Sequence, residues 1–164
     1  MENVQPTFHV GDKVIHWSYG PGEIIQMDEK EMNGKTIPCY VLKVGDLTLW
    51  VPVEDNGENC IRPLSQPEEF ENVFSILAAP GEPLSNDIME RKKIVRQRMR
   101  TGTLESLSTV VRDLTYHKRN GKMTENDRAF LEQTRNLLLE EWRLVLAVPM
   151  ESAEQELNRL LENT

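Results

Sequence analysis

The chain has 164 residues, 38% of them hydrophobic and 28% charged, with a mean hydropathy of −0.51, which suits one full core or two small ones and excludes a disordered or membrane-spanning chain. No apolar run approaches the ~20 residues that a spanning helix needs, and residues 1–11 lack the basic and apolar regions of a secretory leader, so the expected location is the cytoplasm. A formal net charge of −8 argues against diffuse binding of nucleic acid over the whole surface.

That charge is unevenly distributed. Residues 1–80 hold 5 Lys/Arg against 13 Asp/Glu, residues 81–143 hold 13 against 10, and residues 144–164 hold 1 against 4. An acidic first half and a basic stretch after it point to two modules with different partners.

The first half reads as strands, with alternating or β-branched apolar residues broken by Gly and Asn. The candidates are Lys13 to Trp17, Gly22 to Lys30, Thr36 to Lys43 and Leu47 to Val51. Tyr19-Gly20-Pro21-Gly22 is a turn by composition, and Asn33-Gly34 and Gly45-Asp46 mark hairpins. Four or five short strands in about 50 residues, with no helix between them, suit a small, strongly bent antiparallel barrel.

After Pro63 the period changes. Phe70, Val73, Phe74 and Leu77 recur at helical spacing behind a start signal at Ser65 to Glu69. Ala79-Pro80-Gly81-Glu82-Pro83 then breaks the pattern and is the expected hinge. Further helices are expected at about 85–100, 103–119, 124–147 and 151–162, separated by Thr101-Gly102 and Asn120-Gly121 and ended by Pro149. The expected division is 1–65 for the barrel, 66–80 for a connecting helix and linker, and 81–164 for a helical domain. The fold class is α+β in two domains.

No catalytic constellation is visible. His9, His16 and His117 are far apart, Cys39 and Cys60 form no Cys-x-x-Cys pair, and no glycine-rich phosphate loop precedes a helix. The chain is expected to be no enzyme and to hold no metal, cofactor or small-molecule substrate. The informative segment is Arg91 to Arg100, with six cations in ten residues and no acid. On a helix, Lys92, Arg96 and Arg100 share a stripe with Lys93 beside it, while Leu84, Ile88, Val95 and Met99 fall near the opposite side. Such a run is either a solvated face paired with acids elsewhere or a surface for phosphates, whose affinity is salt-dependent and largely independent of sequence.

Taken in order, these residues resemble the CarD/CdnL family of bacterial transcription regulators over about Phe8 to Trp142. Phe8-x-Val10-Gly11-Asp12-x-Val14 with Tyr19-Gly20-Pro21-Gly22, Tyr40-x-Leu42-Lys43 and Leu47-Thr48-Leu49-x-Val51-Pro52 are similar to the RNA polymerase interaction domain, found also in transcription-repair coupling factors. Gly102 with Val110-Val111-Arg112-Asp113-Leu114 carries the C-terminal resemblance. Lys122-Met123-Thr124-x-x-Asp127-Arg128-x-x-Leu131 and Arg135-x-x-Leu138 continue it. The resemblance implies a Tudor-like barrel docking on the RNA polymerase β subunit, and helices that contact promoter DNA and stabilise the open promoter complex, placing the protein with polymerase on the nucleoid. On this basis Lys30, Thr48, Leu49, Trp50 and Pro52 are expected to bind polymerase, and Ile88, Arg91, Lys92, Lys93, Arg96 and Arg100 to bind DNA.

Two departures from the family pattern stand out. Trp50 occupies a position that is commonly basic; it either anchors an interface or completes the core. The tryptophan that the family inserts into the minor groove is replaced, counting back from Gly102, by Ile88, which is either a substitute wedge or a core residue. The alternative to a DNA-binding regulator is a protein-only polymerase adaptor with a helical scaffold.

Overall fold

The computed structural model describes residues 7–54 and 60–164. The chain divides into two compact units, Met1–Leu64 and Ser65–Thr164.

The first unit is a five-stranded antiparallel sheet: β1 (Lys13–His16), β2 (Gly20–Met32), β3 (Lys35–Val44), β4 (Leu47–Pro52) and β5 (Ile61–Pro63), in the order β4-β3-β2-β1-β5. The β2–β3 hairpin turns on Asn33 and Gly34, both at positive φ, which matches the right-handed twist of the strands they join. Val14, Ile24, Tyr40, Leu42 and Val51 form the core, with Phe8, Leu49 and Ile61 packed against it. An irregularity between Ile24 and Gln26 leaves Ile25 exposed and brings Ile24 and Met27 opposite the core residues Leu42 and Tyr40. Gly22 is required by packing, because a Cβ there would lie 2.7 Å from a Val44 methyl.

The expected barrel is not closed. The edge strands β4 and β5 pair with no further strand among the described residues. β5 is only three residues long and pairs along β1, too short to bridge to β4. That shortness also hid it from a reading by periodicity.

The second unit contains α1 (Glu69–Ala78), α2 (Ile88–Thr101), α3 (Leu104–Asn120), α4 (Glu125–Leu146) and α5 (Met150–Leu160). Local signals set their ends. Asp87 caps α2 by accepting from the Met89 and Glu90 amides, and Gly102 at φ 68° stops it. Thr124 and Asp127 form a reciprocal capping box on α4. One core joins Phe70, Val73 and Leu77 of α1 to Val111, Leu138, Trp142 and Leu157. A second joins Val95 and Met99 of α2 to Val110 and Leu114 of α3.

α1 is therefore built into the helical unit, whereas the sequence suggests a connecting helix and linker at 66–80. The segment Ala79 to Pro83 lies inside the same unit: the Glu82 amide donates to Asp113 at 3.0 Å, and a Cβ on Gly81 would collide with Cβ of Tyr116. Pro and Gly serve here to let the chain hug α3.

Candidate interaction surfaces

In the strand unit, register decides which side chains meet. Trp50 is opposite Val41, which is opposite Gln26; Pro52 is opposite Cys39, which is opposite Asp28; Lys30 is opposite Ile37. Partners in register share a face, so Lys30, Thr48, Trp50 and Pro52 all lie on the face away from Tyr40 and Leu42. Leu49 alternates to the other side and packs on the core, so it contributes stability rather than an outward contact.

Trp50 remains 38% exposed and is held at two points. The Lys30 ammonium sits 4.3 Å from its ring centroid, and its indole N–H donates to Asp28 Oδ2 at 3.3 Å. Beneath this trio Cys39 and Val41 are buried. Burial pushes the Cys39 thiol up from its ordinary pKa, against the opposing pull of Lys30, which keeps it protonated and inert. No local sequence signal marks Asp28, because its role depends on a partner 22 positions away. The backbone of β4 on the side away from β3 meets no strand among the described residues, leaving peptide groups available for pairing.

In the helical unit, α2 carries its cations differently from the sequence expectation. Arg91 is buried and forms a bidentate pair with Asp127, with Nε to Oδ1 at 3.0 Å and Nη2 to Oδ2 at 2.8 Å, while Nη1 donates to the Ser85 carbonyl. Burial pushes the Asp127 carboxyl up, but hydrogen bonds from Arg91 and Thr124 outweigh it and hold the pKa at about 2. Arg91 is thus unavailable to phosphates, which corrects its expected DNA role. It shares a buried stripe with Val95 and Met99.

Arg98 is tied to buried Asp113, which Arg112 also engages. Lys93 and Arg96 are exposed, and Lys92 and Arg100 half-buried; Arg96 lies over the Phe130 ring, 5.8 Å from its centroid. Ile88 is 53% exposed rather than core, and Met89 beside it is 72% exposed. The first buried residue of α2 is Arg91, so the opening turn projects beyond the packed part of the helix. No periodic position in the sequence singles out Met89.

A third feature lies where α3 turns into α4, a cleft of about 650 Å³ lined by Lys118, Lys122, Arg128, Arg135, Met123 and Leu131. These cations are scattered through 18 residues, so no run betrays them.

Both units match known families. Residues 8–65 match the CarD-like/TRCF RID domain, and residues 72–158 match the CarD C-terminal domain. The chain is also 22% identical over 143 residues to "Putative transcription factor YdeB" of Bacillus subtilis (strain 168), covering 86% of this chain and 94% of that protein.

Proposed function

The chain belongs to the CarD family of transcription regulators, and from that premise we propose that its strand unit docks on the β subunit of RNA polymerase while its helical unit contacts promoter DNA and stabilises the open complex. The CarD-like/TRCF RID match makes it a transcription-related protein that interacts with RNA polymerase.

The observation that carries the docking reading is Trp50, exposed on an edge strand yet fixed by Lys30 and Asp28. A large ring that is already ordered loses little entropy on binding, and such anchors typically carry ~2 kcal/mol or more of an interface. Because the indole covers Val41 yet stands outside the main core, Trp50→Ala should lower the melting temperature of the protein modestly while weakening polymerase capture far more, and Lys30→Glu should weaken capture with a smaller change in melting temperature. Wild-type affinity in a Trp50→Ala, Lys30→Glu double variant would remove this surface from the function.

The DNA reading draws on Lys92, Lys93, Arg96 and Arg100, which supply charge for phosphates, and on the apolar tip Ile88-Met89, which has the chemistry of a minor-groove wedge. Ile88→Ala should weaken binding to a bubble-containing duplex more than to an intact one. A protein-only adaptor is favoured by a different observation, the engagement of Arg91 and Arg98 by buried carboxylates, which leaves fewer cations than the sequence promises. Failure of the full chain to bind any duplex at low salt would decide for that adaptor.

A further inference from the structure

We propose that the cleft at the α3–α4 turn is a binding site for a compact ligand with linked phosphates, a nucleoside di- or triphosphate being the class that fits. Its volume of about 650 Å³ falls within the range of small-molecule sites, roughly 300–1,000 Å³. Four cations converge on it from three places: Lys118 in the last turn of α3, Lys122 in the turn itself, and Arg128 and Arg135 on α4. The two arginines are seven residues apart and so share a face of the helix. Half-buried Met123 and Leu131 add apolar surface on which a ring can lie.

Arg91 and Arg98 of the α2 run are engaged by buried carboxylates, whereas the cations of this cleft are not. Among the described residues, Lys118, Lys122 and Arg128 enter no ion pair, and Arg135 donates to the neutral amide of Asn158 at 3.0 Å. The one acid on the lining is Glu132, so four positive charges face one negative charge in a chain whose net charge is −8. Like charges gathered without a partner repel, and an anion with several charges in a small volume relieves them together.

The site is also preformed. The Gly121 amide donates to the His117 carbonyl at 2.8 Å, His117 Nε2 lies 2.8 Å from the Lys122 carbonyl oxygen, and the Thr124–Asp127 capping box fixes the first turn of α4. Lys122 therefore leaves a turn pinned on both sides, which lowers the ordering cost of binding. The inference goes beyond the promoter reading and stands whether or not the helical unit binds DNA.

The test is titration of the full-length protein with ATP, inorganic tripolyphosphate and adenosine at about 0.15 M salt, followed by calorimetry and by backbone amide shifts. ATP should bind saturably at one site with shifts centred on residues 118–135, tripolyphosphate more weakly, and adenosine not detectably. A Lys122→Ala, Arg128→Ala variant should lose roughly tenfold or more in ATP affinity through its missing charge-assisted contacts, whereas Lys92→Ala, Lys93→Ala should keep it. Should the alanine pair lose its melting transition, the Lys122→Gln, Arg128→Gln pair takes its place. Absence of saturation, or equal loss in the α2 variant, overturns the proposal. So does weakened duplex binding in the cleft variant without any binding of ATP or tripolyphosphate, which would assign the cleft to the DNA surface.

Discussion

At the scale of single residues, the most consequential side chain is Arg91, whose charge is directed inward. It bonds Asp127 through two parallel contacts, with both partners almost wholly removed from water. Removing one member of such a pair strands the other as an uncompensated buried charge, at about 3–5 kcal/mol. Arg91→Ala and Asp127→Asn should each lower the urea midpoint of the helical unit strongly, whereas Arg91→Met with Asp127→Leu should restore much of the loss. Full stability in Arg91→Ala would show that the pair is not structural. The same carboxylate predicts a pH dependence. Its pKa falls from 3.8 unfolded to about 2 folded, so its contribution is complete above pH 3.8 and disappears as pH drops through about 2. The difference amounts to roughly 2 kcal/mol. Unfolding free energies measured between pH 5 and pH 2 should decline in the wild type and decline less in Asp127→Asn.

At the scale of elements, α2 shows what a sequence can and cannot reveal. Its existence, its Gly102 stop and its buried Val95 and Met99 follow from spacing alone, since 3.6-residue periodicity is local. Spacing could not separate the cations that face solvent from those that pair, because Asp127 and Asp113 arrive from other helices, 36 and 15 positions away. β4 repeats the lesson. Alternation places Trp50 outward and Leu49 inward, but the clamp from Lys30 and Asp28 depends on the register of β2, β3 and β4. For α2 the consequence is measurable. If it binds DNA, Lys93 and Arg96 should dominate the salt dependence, each contributing roughly −0.9 to the slope of log K against log salt. A Lys93→Ala, Arg96→Ala variant should flatten that slope by about 2, and an unchanged slope would take α2 out of the interface.

At the scale of the whole molecule, the shift from strand to helical period near Pro63 made two modules legible, and two units divided between Leu64 and Ser65 are what the chain forms. The segment Ala79 to Pro83 misleads because its prolines and glycine are also the residues that let a chain pass close to a neighbouring helix. Its bond to Asp113 spans 31 positions and leaves no local trace. The placement of α1 fixes where the helical unit begins energetically. Phe70, Val73 and Leu77 are almost completely buried in the core that includes Leu138, Trp142 and Leu157, and burying each contributes roughly 1.5–3 kcal/mol. Deleting α1 should therefore cost roughly 5 kcal/mol or more, comparable to the entire stability of many domains at ~5–15 kcal/mol. A fragment beginning at Ser65 should unfold in one cooperative transition, and one beginning at Gly81 should lack such a transition or melt far lower. In the full chain, limited proteolysis should spare Ala79 to Pro83. Equal melting temperatures for the two fragments, or early cleavage at that segment, would return α1 to the role of a connector and move the boundary of the helical unit to Gly81.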